Sequence, residues 1–168
     1  MHPQALLWRA LSASLLVATS LASQAQVQAQ TPAQPPADPP PAEAVGYVKT
    51  VAGEAWVTTL GQRVQAAPGT AVRVGSQLKT AAKASLGVTF KDNTVMSFGP
   101  DTELTVDEYL YAPAQGQLRL GTRLAKGSLN YVSGVIAKLK PEAVTVKTPT
   151  GIIGVRGTQF VATVEDAQ

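Results

Sequence analysis

"TPTGIIGVRGTQF", Thr148 to Phe160, is the stretch on which the reading of this chain turns. Glycines fall at Gly151, Gly154 and Gly157, and Arg156 precedes the last of them. Such a run is either a phosphate-gripping loop or a piece of β structure. A Walker loop places four residues between its glycines, then Lys and Ser or Thr. Here five residues separate Gly151 from Gly157, and no lysine follows. The dinucleotide fingerprint G-x-G-x-x-G opens a helix. The spacing here is G-x-x-G-x-x-G, and the next residues, QFVATV, alternate like a strand. Both nucleotide readings fail on spacing and on context. The β reading accounts for more of the residues. Pro149 favours an extended approach and opposes a helix, and Ile152, Ile153 and Val155 are β formers. The glycines permit tight bends or the close approach of another backbone. Arg156 and Thr158 can bond carbonyls and amides at a corner. An anion held by the Gly157 amide beside Arg156 is the functional alternative to a solvated arginine.

Outward from that stretch, two-residue alternation recurs. Val88 and Phe90 line up, as do Leu104 with Val106, Leu118 with Leu120, Leu129 with Tyr131, Val144 with Val146, and Phe160 with Ala162 and Val164. The runs are short and bounded by Gly, Pro, Asn or Asp, for example at Gly53, Gly61, Pro68-Gly69, Asp92-Asn93, Gly116 and Gly127. Many short strands separated by turn signals predict an all-β domain. Residues 133–141, SGVIAKLKP, read as one short helix with Val135, Ile136 and Leu139 on a single face and Pro141 ending it. Gly-Thr precedes Gly-Ser by six residues at Gly69 and again at Gly121, and Gly151 and Gly157 keep that interval. Short strands with glycine corners at a fixed interval suggest a β-solenoid-like, β-helical coil. A β-sandwich of the same strands is the competing architecture.

The 168 residues divide by composition. A short lead-in with one basic residue, the apolar run Ala10–Leu21 and small residues at Ser23 and Ala25 follow the plan of a secretory signal, with cleavage expected after Ala25. The apolar run is well short of the roughly 20 residues of a membrane-spanning helix, so no span is expected once the signal is removed. Residues 26–44 are rich in Pro, Ala and Gln and form an expected disordered, stiff spacer. The β domain is expected over 45–168. From Val45 onward 13 basic side chains face 9 acidic ones, scattered without a dense strip, which argues against nucleic acid as a partner.

Cysteine is absent, and the one histidine, His2, lies in the signal. Ser-His-Asp and Cys-His catalysis and the usual zinc sites are thereby excluded from the mature domain. A hydrolase would have to rest on carboxylates. Asp101 and Glu103 would lie about 7 Å apart along a strand, within the roughly 5–10 Å that a glycosidase requires, but acidic residues at strand ends are commonly just solvated. A calcium site from Asp92, Asn93 or Asp101 has too few clustered oxygens. Tyr109 and Tyr111 would point the same way from one strand and suit a sugar ring or a protein partner. Trp56 is expected in the core, because a domain poor in aromatics needs its bulk inside.

The Thr-Pro-x-x-x-x-Gly-Val-Arg-Gly-Thr-x-Phe block resembles the FecR domain family. Gly53-Glu54-Ala55, Pro68-Gly69 leading to Leu78-Lys79-Thr80, Ser85 to Phe90 running into Lys91-Asp92-Asn93-Thr94, Phe98-Gly99-Pro100 and Gly127-Ser128 agree with the same pattern. The resemblance implies a β-solenoid-like domain outside the cytoplasmic membrane of a Gram-negative bacterium. In the iron-signalling members it implies relay from an outer-membrane receptor to a cytoplasmic sigma factor. Those members also carry an anti-sigma segment and a membrane-spanning helix, which this chain is expected to lack, so sigma-factor control is not carried over. The expectation is a non-enzymatic, periplasmic or secreted interaction module without cofactor or metal. Its partner would be an envelope protein or, alternatively, peptidoglycan or a surface polysaccharide. A carboxylate glycoside hydrolase is the remote alternative. Tyr109, Tyr111 and Arg156 are the expected interaction residues, and Pro149, Gly151, Gly154, Gly157 and Thr158 the structural motif.

Overall fold

The structure is a computed structural model that describes residues 43–156 and 159–165. The signal, most of the spacer, Gly157 and Thr158 lie outside the described residues. Twelve strands follow in order: β1 (Ala44–Ala52), β2 (Ala55–Thr59), β3 (Gln62–Gln65), β4 (Ala71–Arg73), β5 (Gln77–Thr80), β6 (Ser85–Phe90), β7 (Val95–Phe98), β8 (Glu103–Ala112), β9 (Gln117–Val132), β10 (Val144–Thr148), β11 (Gly151–Gly154) and β12 (Gln159–Val164). Among the described residues one short α-helix, α1 (Val135–Leu139), falls inside the stretch expected to be helical. The fold is all-β.

The strands form one open, curled sheet around a shared core. Its long strand β9 belongs to two halves. Residues 117–126 pair with β8, and the half runs β3-β2-β5-β8-β9-β10-β11. Residues 127–132 pair with β7 and β12, and that half runs β4-β1-β6-β7-β9-β12. The shared strand makes the halves one sheet, where two separate sheets would make a sandwich. All the ladders are antiparallel except β9 with β10, which are joined through α1, the crossover that parallel neighbours require. The expected solenoid would stack its turns in parallel, and this pairing is not that stack. The Gly69 and Gly121 echoes explain the difference. Gly69 and Gly75 flank β4 in turns, whereas Gly121 to Gly127 lies within the single strand β9. The shared spacing therefore marks two different local structures.

The switch between halves is made at Gly127, whose φ is +84°. Before it, Leu118, Leu120 and Leu124 face the core; after it, Leu129 and Tyr131 do. The inward parity changes from even to odd because β9 has one extra residue against β8 between Leu124 and Lys126, a bulge just before the left-handed corner. A Cβ at Gly127 would lie 2.4 Å from the Thr102 Cα. Around the corner Thr102 Oγ1 donates to the Gly99 carbonyl at 2.9 Å and accepts from the Ser128 N–H at 3.0 Å. Thr80 Oγ1 donates to the same Gly99 carbonyl at 2.7 Å and accepts from the Thr102 N–H at 2.9 Å. These hydroxyls replace the ladder bonds that the bend interrupts.

α1 packs Ile136 and Ala137 inward. Leu139, expected on the apolar face, is 61% exposed, because the helix is barely longer than one turn and the chain then turns away at Pro141–Ala143.

Candidate functional site

Tyr109 and Tyr111 do point the same way, and the direction is inward. Leu104 and Val106 face the core, and a register shift between Val106 and Glu108 moves the inward parity of β8 onto Tyr109 and Tyr111. Tyr109 stacks on Phe90 at 5.7 Å. Its hydroxyl accepts from the Asp92 N–H at 2.9 Å and donates to Asp92 Oδ1 at 3.3 Å. Burial, and then the Asp92 carboxylate, push the Tyr109 hydroxyl well above its ordinary pKa. Asp92 is fully buried and is the hub of this corner. Its Oδ2 accepts from Thr94 Oγ1 at 2.7 Å and from the Ile136 N–H at 3.3 Å, and its carbonyl accepts from the Val135 N–H at 2.7 Å. Tyr109 is thus half-buried and tied down. With Tyr111, Leu110, Val74, Lys91 and Glu43 it borders a groove of about 360 Å³ where β1 begins. Leu110 and Val74, 44% and 42% exposed, are the apolar side chains this groove shows to solvent. Lys91 pairs with Glu43, which lowers the Glu43 carboxyl below its usual range.

Trp56 is not in the core. Ala55 and Val57 on either side of it are buried, so the strand turns Trp56 to the outer face, where it is half-buried. The guanidinium of Arg63 sits 4.2 Å from its ring centre. β2 pairs with β3 so that Arg63 opposes Thr58, diagonal to Trp56, which brings the cation onto the ring. Core volume was the wrong criterion here. Strand parity decided the side.

Asp101 has a φ of +49° in an exposed turn. Glu103 is held by Lys79 at 2.8 Å and by the Gln77 side-chain amide at 2.6 Å. Asp107 pairs with Arg123 at 3.1 Å, and Glu108 with Arg119 at 3.2 Å. Among the described residues no cluster of three or more His, Cys, Asp and Glu could hold a metal ion.

The glycine stretch forms the β10–β11 hairpin. Thr148 pairs with Gly151, so Pro149 and Thr150 are the two-residue tip. Pro149 was expected to hold an extended approach, and it makes the turn instead, where its missing N–H costs nothing. Thr148 Oγ1 accepts from the Gly151 N–H at 3.2 Å and donates to the Gly151 carbonyl at 3.0 Å. Gly151 and Gly154 are strand residues without positive φ, and a Cβ on either would meet nothing within 4 Å. They are therefore neither corners nor points where another described backbone comes close. Val155 is buried and Arg156 is exposed; the expected roles of Gly157 and Thr158 fall outside the described residues. Between β11 and β12 runs a groove of about 540 Å³, lined by Thr148, Thr150 to Arg156 and Gln159 to Val164. On the core side of β12, Phe160 stacks on Tyr131 at 5.0 Å.

A family model described as FecR protein matches residues 76–168, more than half of the chain. The chain belongs to the FecR family. The FecR match runs from β5 through the Gly127 corner and the β10–β11 hairpin to the C-terminus, so it includes both strands that border the 540 Å³ groove. Comparison with curated proteins and with solved structures returned no match. No helix among the described residues of this FecR protein is long and apolar enough to cross a membrane. Sequence reasoning did not single out Asp92 as a hub, or Ile152 and Val161 as exposed apolar residues. The absence of any charge from GIIG and QFVATV was the available signal for the latter two.

Proposed function

We propose that this FecR protein is a non-enzymatic, exported interaction module of the bacterial envelope that binds a protein partner, in a signalling-related role. The FecR match carries the reading. Three further observations support it. Glu103, Asp107 and Glu108 are engaged in ion pairs with bases on the neighbouring strands. The sheet is open rather than closed into a barrel. Two grooves each show exposed apolar side chains, Val74 and Leu110 at one and Ile152 and Val161 at the other. Open sheet edges bind polypeptide through main-chain hydrogen bonds. The reading is tested by cell fractionation of the full-length chain combined with photo-crosslinking from Leu110 and Ile152. Crosslinks to one defined envelope protein from either position are expected. Recovery in the cytoplasm, or no protein crosslink from either position, refutes it.

A second reading, binding of peptidoglycan or surface polysaccharide, is favoured by the outward position of Trp56. Co-sedimentation with purified peptidoglycan that persists in high salt and is lost in Trp56→Ala would establish it. Loss with salt alone would reduce it to attraction by the surplus of basic residues.

A further inference from the structure

β11 carries two features that nothing in the described chain requires. Gly151 and Gly154 lie in the strand, without positive φ and with empty space where a Cβ would stand. Glycine weakens a strand, and inside one it marks a bend, a bulge or the close approach of another backbone or a ligand. The ladder to β10 runs without a register shift from Thr148↔Gly151 to Thr145↔Gly154, which removes the bulge. A bend at the strand's two ends or a close approach is left, and no described residue comes within 4 Å of where either Cβ would stand. The second feature is charge. Four strands have an edge with no partner strand among the described residues: β3, β4, β11 and β12. β3 and β4 carry Arg63 and Arg73, of the kind that discourages strand addition. β11 and β12 carry no charge at all, and both border the 540 Å³ groove.

The main chain points the same way. The Gly151 N–H is turned to Thr148, and the Val155 N–H donates to the Val144 carbonyl at 3.4 Å, both on the β10 side. Antiparallel ladders alternate the side to which successive residues turn their groups, so the N–H and C=O of Ile152 and Gly154 face away from β10. Ile152 and Val161 stand 68% and 69% exposed, one on each bordering strand. Among the described residues that line the groove, Arg156 is the one charged side chain.

We propose that this groove receives an extended polypeptide segment of a partner protein, which adds to β11 as a strand through Ile152 and Gly154 and carries a carboxylate opposite Arg156. Residues three apart face opposite sides of a strand, so each face of β11 has one bare position at which the segment's own side chains can lie. The proposal rests on the protein-binding reading above and names its surface.

The test uses the full-length chain and a fluorescent ten-residue peptide of alternating valine and threonine that ends in aspartate. Two control peptides replace the aspartate by lysine or methylate alternate backbone nitrogens. Anisotropy is expected to show binding of the first peptide and at least tenfold weaker binding of both controls. Gly154→Val is expected to lose at least tenfold in affinity while melting with the parent, because its side chain enters empty space. Arg156→Glu should invert the preference between aspartate and lysine peptides. Equal binding of all three peptides, or none, overturns the proposal. So does a Gly154→Val variant that melts far below the parent, since the glycine would then be structural. Concentration-dependent dimers abolished by Gly154→Val would make the occupant a second copy of this chain and overturn it as well. Crosslinks from Leu110 without any from Ile152 would remove this site and leave the protein-binding reading standing.

Discussion

Glycine and tyrosine show how a single side chain is judged here by its surroundings. Gly127 and Gly116 both have positive φ, +84° and +67°. A Cβ on Gly127 would collide with Thr102, while one on Gly116 would meet nothing within 4 Å. Gly116→Ala should cost about 1 kcal/mol, the left-handed penalty alone. Gly127→Ala should cost about 3 kcal/mol or more, because the clash adds to it. Urea midpoints of the two variants measure the difference; equal shifts would mean that the corner relaxes freely. Tyr109 gives a pH prediction. Burial and the Asp92 carboxylate raise its pKa, and burial raises that of Tyr131. The folded state therefore holds these protons more tightly than the unfolded chain. Their stabilisation is complete below the ordinary tyrosine pKa of about 10 and is lost progressively as pH rises past it. Urea midpoints should fall above about pH 10, and less steeply in Tyr109→Phe. An identical alkaline slope in both proteins would show that Tyr109 titrates as it does in the unfolded chain.

At the scale of elements, the β6–β7 turn, β8 and α1 meet on Asp92. Its carboxylate and carbonyl accept bonds from Thr94, Tyr109, Val135 and Ile136, and Gly134 is so close that a Cβ there would lie 2.3 Å from the Thr94 nitrogen. Asp92→Ala removes the carboxylate and leaves buried donors unpaired, at about 2–3 kcal/mol. Amide exchange should accelerate most at residues 134–140, with the β2–β5 ladder little affected. Uniform acceleration would contradict the hub. Much at this scale was legible in sequence, since alternation at Val88 and Phe90 or Val144 and Val146 is a local property with an immediate consequence for burial. The opposite parities of Leu118–Leu120 and Leu129–Tyr131 were also legible, and they announce a corner between them. The direction of Tyr109 was not, because the register shift near Asp107 arises from pairing with β9.

For the whole molecule, β9 is the strand through which both halves share one core. That continuity predicts one cooperative transition. Trp56, on β2, is the only tryptophan after the signal, so fluorescence of the mature chain reports the β2 half, while far-ultraviolet dichroism reports all strands. The two denaturation curves should coincide. Separate midpoints would mean that the halves melt independently about Gly127. Arg63→Ala should shift the Trp56 emission to the red and cost no more than about 1 kcal/mol, as an exposed cation–π contact does.

The sequence alone determined that this chain is all-β, where α1 lies and that it resembles the FecR family, because alternation, turn residues and a fixed motif are local signals. Tertiary structure decided the rest. Which strands pair depends on partners distant in sequence, so an apparent repeat at Gly69 and Gly121 became one turn-flanked strand and one bent strand. The same pairing brought Arg63 over Trp56, fastened Tyr109 to Asp92, and left β11 as an uncharged edge with no partner strand beyond it among the described residues.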